Sequence, residues 1–278
     1  MKIIECPRDA MQGIDRFIPT KKKIEYINQL LKVGFDTIDF GSFVSPKAIP
    51  QLRDTAIVLK GLDLSNTSSK LLAIIPNTRG AIDACSFQEI DFLGFPLSVS
   101  EEFQMRNTNK SISQSLYIIE EIKNLSVKNN KKLVVYLSMA FGNPYKEDYN
   151  QDIVASLTKR LHEIEVEIIS LADTIGVSSP NNIASLFSCL ISEYPTIEFG
   201  SHFHTTADTW MEKIDAAYSN GCKRFDSALR GYGGCPMAGN HLVGNMPTEK
   251  IAAYFNKDFY LNEKEFSKAL KLSESIFL

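Results

Sequence analysis

The most constraining feature of the sequence is a repeated switch of hydrophobic period: short β-rich runs alternate with longer stretches whose apolar residues recur at helical spacing. The runs are KIIEC at about residues 2–6, FDTIDFG at 35–41, KLLAIIP at 70–76, EIDFLGF at 89–95, KLVVYLSM at 132–139, VEIISLAD at 166–173, IEFGSHFH at 197–204 and KRFDSA at 223–228. Between them lie segments such as Ile24, Ile27, Leu30 and Leu31, or Leu116, Ile119, Ile122 and Leu125, each filling the interval that a right-handed crossover between parallel strands needs. Eight such units predict an α/β fold, a (β/α)8 TIM barrel. Its typical length of about 250 residues leaves room in this 278-residue chain for an additional C-terminal helix in LNEKEFSKALKLSESIF. A doubly wound open sheet is the rival, but it more often shows fewer strands and a glycine-rich nucleotide turn after the first, which the turn PRDAMQG lacks. No Pro/Gly/Ser-rich linker or charge block divides the chain. Residues 1–278 therefore read as one catalytic domain, with the barrel over about 1–257 and a helical extension over about 258–278.

Composition enters by what it excludes. A balance of 30 Lys+Arg against 33 Asp+Glu, net −3, lacks the electrostatic footprint of a protein that tracks a phosphate backbone, so no nucleic-acid partner is expected. No apolar run approaches the roughly 18 residues needed to cross a bilayer, the start MKIIECPRDAMQG lacks the apolar stretch of a signal peptide, and SESIFL matches no peroxisomal or retention signal. The expectation is a cytoplasmic protein with no membrane partner. The five cysteines, Cys6, Cys85, Cys189, Cys222 and Cys235, are odd in number and contain no CxxC pair, so neither structural zinc nor a redox dithiol is expected.

In a barrel of this kind catalytic groups come from the C-terminal ends of the strands and the loops that follow, and the polar residues out of place in apolar runs collect there. Arg8 and Asp9 follow the first run, Asp39 lies late in the second, Asp173 ends the sixth, and His202 and His204 end the seventh. The glycine-rich loop GYGGCPMAGNHLVGN follows the eighth. Two histidines at i and i+2 on a strand face one side and can share a metal ion, although strand histidines satisfied by neighbours have the same spacing. Adding Asp9 across a narrow mouth gives one carboxylate and two imidazoles, which leaves positions open for a substrate oxygen and suits Mg²⁺, Mn²⁺ or Zn²⁺. Arg8 is either an ion-pair partner of Asp9 or a group that polarises a carbonyl and neutralises an enolate. Asp39 and Asp173 each have a plain alternative, bonding the next loop or opening the helix start marked by Ser178, Ser179 and Pro180. Cys235 is either an inert buried thiol or, on a glycine loop over the mouth, a group for proton transfer or nucleophilic chemistry. There is no Walker A motif, no GxSxG elbow, no HExxH and no dinucleotide fingerprint.

The segments ECPRDAMQ, GSFVSPKAIPQ, the GNPY of AFGNPY, ISLADTIGVSSP, the HFH of GSHFH, GGCPMAG and GNMPTE together resemble the 3-hydroxy-3-methylglutaryl-CoA lyases, over Ile3 to about Glu249. SFVSPK with GGCP resembles the lyases more than their condensing relatives. The resemblance implies cleavage of 3-hydroxy-3-methylglutaryl-CoA to acetyl-CoA and acetoacetate, a divalent cation cofactor and an acyl-CoA substrate as partner; a homodimer is an expectation that the sequence itself does not reveal. It implies metal ligands at Asp9, His202, His204 and Asn245, an arginine for the substrate carbonyl and enolate at Arg8, the motif aspartate at Asp173 and the loop cysteine at Cys235. For the base it leaves Asp173 or His202. The chain departs from the pattern at Asp39, where the family usually has Glu, at Thr205 after the histidines, at Cys6 and Ala10 where glycines are usual, and by about one extra residue before Asn245. A related aldolase or a Claisen-condensing enzyme is the alternative. The latter usually carries a further C-terminal domain, for which this length leaves no room.

Overall fold

The structure is a computed structural model that describes residues 1–234, 243–256 and 259–277. The period-2 runs become eight parallel strands: β1 (Lys2–Glu5), β2 (Thr37–Ser42), β3 (Lys70–Ile74), β4 (Phe92–Ser98), β5 (Lys132–Ser138), β6 (Ile168–Asp173), β7 (Glu198–Thr205) and β8 (Arg224–Ser227). Each pairs with the next, and β8 pairs with β1, so the sheet closes into the expected TIM barrel. Closure removes every free edge from the eight strands.

Helices cover the outside: α1 (Pro7–Gln12), α2 (Thr20–Leu31), α3 (Thr55–Lys60), α4 (Thr78–Cys85), α5 (Glu101–Thr108), α6 (Ile112–Lys128), α7 (Gln151–Glu163), α8 (Pro180–Glu193) and α9 (Trp210–Ser219). Their starts are written locally. Ser111 with Gln114 caps α6, and Ser179 with Asn182 caps α8 behind Pro180, each side chain accepting from the other residue's backbone N–H. The apolar stripes read in α2 and α6 face the sheet, with Ile27, Leu30, Leu31, Leu116, Ile119 and Ile122 all buried. After β8 a two-residue strand β9 (Gly244–Asn245) runs antiparallel to β7, and α10 (Thr248–Tyr254) and α11 (Glu263–Phe277) follow. The expected C-terminal helix is α11. It lies along α2, and Phe277 meets Tyr26 edge-on at 5.7 Å.

Alternation along the strands divides the core in two. Side chains such as Ile3, Phe40, Leu93, Val135 and Phe225 point outward into the helix layer. Inside the barrel, Leu72, Val134, Tyr136 and Ile168 pack with Ile74 and Phe92. The inward positions of β7, β8, β1 and β2 are different: Gly200, His202 and His204, Arg224 and Asp226, Cys6 just beyond β1, and Thr37 and Asp39. The barrel interior is therefore uneven, mostly apolar around β3 to β6 and mostly polar around β7, β8, β1 and β2, where Ile4 is the apolar exception.

One reading changes at β1. PRDAMQG was expected to be a turn, but Pro7–Gln12 is helical. Proline at the first position of a helix loses no hydrogen bond and has its φ already set, so a short helix can start directly from the strand end.

Candidate active site

The short helix α1 is what aims the first two site residues. Cys6 precedes it with its N–H bonded to Ser227 O at 2.8 Å, which ties the end of β1 to the end of β8. Arg8 and Asp9 follow within one turn, and both are buried. The Arg8 guanidinium donates through Nε and Nη2 to Asp39 Oδ2 at 3.0 and 2.6 Å, and through Nη1 to Asp9 Oδ1 at 2.7 Å and Gln12 Oε1 at 3.0 Å. Asp39 reaches that position from a bulge in β2, where Asp39 pairs with Leu72 and Gly41 with Ala73, leaving Phe40 as the extra residue.

His202 and His204 project from β7 on one face with ring centroids 5.3 Å apart. Asp9, His202 and His204 each offer a ligand atom, and these atoms all lie within 4.8 Å of one another. Asn245 reaches the same place because β9 pairs it directly with His204. Its amide Nδ2 donates to Asp9 Oδ2 at 2.8 Å and to Tyr232 O at 2.9 Å, so its carbonyl oxygen is what it can offer an ion.

The electrostatics match a cation site. Burial pushes Asp9 upward, but the Arg8 guanidinium, with His202 and His204 beyond it, holds it well below the usual carboxylate range. Burial and the neighbouring His202 bring His204 down to about 4, so its ring is neutral, the form that ligates. His204 Nδ1 is buried without a hydrogen-bond partner. An orphaned imidazole nitrogen beside a charged carboxylate and a second histidine fits a divalent cation. Burial lowers His202, and the hydrogen bond and charge of Asp226 more than reverse this. Asp39 is pushed up to about 6 by burial, in spite of Arg8.

A cavity of about 800 Å³ opens above these groups, with Arg8, Asp9, His202 and His204 in its wall and Phe17, Arg53 and Arg106 among the residues nearer its rim. That volume lies within the range of sites for small-molecule ligands. Gly233 packs against the site with φ +91°, and a Cβ there would lie 2.7 Å from Ala10 Cα and 2.8 Å from Asn245 Nδ2. Only glycine permits that approach.

Arg8, Asp9, Asp39, His202, His204 and Asn245 are thus brought together. Asp173 stands apart from the cavity. Its Oδ1 accepts from Val177 N at 2.8 Å, and its Oδ2 accepts from Ser178 N, Ser178 Oγ and Lys213 Nζ at 3.0, 2.5 and 2.7 Å. Lys213 also donates to His204 O at 3.1 Å, so the Asp173–Lys213 pair holds the backbone of a ligand residue. Cys235 lies outside the described residues. Asp226 had escaped the sequence reading: its Oδ2 sits 3.0 Å from His202 Nδ1, the carboxylate–histidine arrangement that orients metal ligands. The signal was present in KRFDSA, where Asp226 alternates with the outward Phe225. Lys213, on an amphipathic helix, carried no such signal.

Residues 2–276 match the HMGL-like family model. The chain belongs to the HMGL-like family. A relative among the HMG-CoA lyases, hydroxymethylglutaryl-CoA lyase YngG of Bacillus subtilis, is 37% identical over 88% of this chain and 81% of its own length. The cytoplasmic 3-hydroxy-3-methylglutaryl-CoA lyase of Rattus norvegicus is 32% identical over 92% of this chain and 74% of its own. The solved Bacillus subtilis HMG-CoA lyase superposes with a TM-score of 0.92 at 34% identity, covering 99% of this chain and 92% of that one. An HMG-CoA lyase from Acenitobacter baumannii, solved in complex with coenzyme A and 3-methylmalate, gives 0.91 at 30% identity over 100% and 91%. The HMGL-like assignment thus rests on the whole barrel as well as on its mouth, and it makes the chain a carbon–carbon lyase of the HMG-CoA lyase kind.

Proposed function

We propose that the chain cleaves 3-hydroxy-3-methylglutaryl-CoA to acetyl-CoA and acetoacetate by a metal-dependent retro-Claisen reaction. The observation that carries this reading is the convergence of Asp9, His202 and His204 within 4.8 Å, with Asn245 bonded to Asp9, at the mouth of the barrel. These four residues would hold Mg²⁺ or Mn²⁺, with Zn²⁺ a third fit. When bound, the cation lowers the pKa of a substrate hydroxyl and fixes its orientation.

The remaining work falls to the chain. Arg8 is held rigidly by Asp39, Asp9 and Gln12, so its positive charge is in place before charge develops on the departing thioester enolate. Asp39 serves by placing Arg8. Being one methylene shorter than the family's glutamate, it spends Oδ2 wholly on that guanidinium. The base is His202, backed by Asp226 at 3.0 Å, and not Asp173, whose oxygens are taken up by Lys213 and the 177–178 turn. Cys235, two residues after Gly233 in the sequence, protonates the enolate carbon to give acetyl-CoA, as in the family it resembles. The acyl-CoA enters through the cavity, where Arg53 stands in the wall as a cation for its phosphates. We read residues 1–278 as one catalytic domain acting as a cytoplasmic homodimer. Among the described residues, no helix is long and apolar enough to cross a membrane.

A coupled assay for acetyl-CoA release, run on metal-stripped protein with and without Mg²⁺ or Mn²⁺, tests this. Activity should require the cation and be lost in His204→Ala, whereas Cys235→Ala should keep metal and lose turnover by about a hundredfold or more. A fully active metal-free protein would end the metal reading. Cleavage of a hydroxy-oxo acid lacking CoA, with none of the thioester, would move the chain to the aldolases.

A further inference from the structure

The polar side of the barrel interior holds an arginine that the reaction does not use. Arg224 begins β8, is 1% exposed, and none of its three guanidinium nitrogens makes a hydrogen bond. Its space exists because β7 carries Gly200 opposite, where a Cβ would meet Arg224 Cδ at 2.9 Å. Glu198, below it, answers it only loosely, at 3.6 Å from Nη1, because Lys2 takes the other Glu198 oxygen at 2.6 Å. Glu198 and the Phe92 ring, whose centroid lies 5.6 Å from Arg224 Cζ, answer part of the charge, but a buried guanidinium without a hydrogen bond is costly and leaves room for a further interior group to share it.

Asp226 is that group. It lies two residues along the same strand on the same face, a spacing of about 7 Å. Its Oδ2 is used by His202, while its Oδ1 is buried and unpartnered. The Tyr136 hydroxyl is buried and unpartnered as well, on a ring that meets His202 edge-on at 5.6 Å. Of the charges around Arg224, Asp226 does most to keep it protonated against burial. Arg224 and Asp226 one strand repeat apart on β8, with Tyr136 from β5, are buried polar groups with unused donors and acceptors in one barrel interior, the kind of site that ordered water bridges.

We propose that Arg224 is a positioning residue of the metal centre: across bridging solvent inside the barrel it fixes the Asp226 carboxylate, and Asp226 in turn fixes the His202 imidazole toward the ion. The inference rests on the metal reading above. A purely structural Arg224, balancing Glu198 at the barrel floor, would leave metal affinity alone.

The test is Mn²⁺ titration of metal-stripped protein, followed by electron paramagnetic resonance, on the full chain and its variants. Arg224→Met should weaken Mn²⁺ binding about tenfold or more, while Arg224→Lys, which keeps the charge, should recover most of the affinity. Asp226→Asn should weaken binding comparably, and adding Arg224→Met to it should cost nothing further, since both act along one path. Should the methionine variant not fold, Arg224→Gln makes the same comparison with a polar, uncharged side chain. Unchanged Mn²⁺ affinity in the uncharged variant, or losses that multiply in the double variant, overturn the proposal. Unchanged affinity in His202→Ala would instead overturn the metal reading.

Discussion

Glu5 shows how much a single buried group can weigh. It ends β1 with no exposed surface, accepts from Leu229 N at 2.9 Å, and lies 2.6 Å from Thr248 Oγ1, which is itself 2.9 Å from Ser227 Oγ. Thr248 donates to Glu5 Oε2, and Ser227 can donate to Thr248 in turn, so these hydrogen bonds favour the ionised carboxyl, but burial outweighs them and pushes Glu5 up to about 8. Because the folded pKa lies above the unfolded value near 4.5, the fold has its full stability from this group below about pH 4.5 and loses it progressively up to about pH 8. At pH 7 the loss amounts to ~3 kcal/mol. Glu5→Gln keeps the neutral hydrogen bonds, so urea unfolding at pH 5.5 and 8.5 should show a smaller fall in stability for the variant than for the parent. Equal falls in the two proteins would mean that Glu5 is ionised in the fold.

At the scale of elements, the site is made by short pieces that sequence patterning hardly registers. The long strands and amphipathic helices were legible because their periods persist over many residues. The six-residue α1 and two-residue β9 are too short to show one, yet they deliver Arg8, Asp9 and Asn245. The ligand residues were readable as residue types in a family pattern, whereas the contacts that hold them, from Asp226, Lys213 and Tyr232, depend on closure of the barrel. Tyr232 links the C-terminal element to this machinery: its ring stacks on Phe277 of α11 at 4.7 Å and its carbonyl holds Asn245. A tight joint beside the ligands is Gly233. Substitution by alanine would impose a left-handed backbone on a residue with a Cβ and drive that Cβ into Ala10 and Asn245. Gly233→Ala should therefore weaken Mn²⁺ binding at least about tenfold while lowering unfolding stability by only roughly 1–3 kcal/mol. Retained metal affinity in a folded variant would separate Gly233 from the site.

For the whole molecule, the polar side of the interior has a thermodynamic consequence. The barrel was legible from eight repeats, but its uneven core was not, because inward charges such as Arg224 and Asp226 are common as residue types and acquire meaning only when strands from distant parts of the chain meet. The seam they occupy is thinly paired: β7 and β8 share only the register pairs Gly200–Arg224 and Ser201–Phe225, whereas β4 and β5 run in register from Phe92–Lys132 to Ser98–Ser138. The proposed ligands come from α1, β7 and β9, so one cation would join three parts of the chain around that seam. Binding to the folded state alone stabilises it by mass action, about 2.7 kcal/mol at a Mn²⁺ concentration 100 times Kd. For a domain of this size that corresponds to a rise in Tm of roughly 5 °C by calorimetry. The same addition should slow hydrogen exchange at the β7–β9 pair, whose opening releases Asn245. It should leave unchanged the fraying ends of α4, whose opening disturbs no ligand. His204→Ala should abolish both effects, and a Tm unmoved by Mn²⁺ in the parent protein would show that the cation does not bind the folded barrel at this seam.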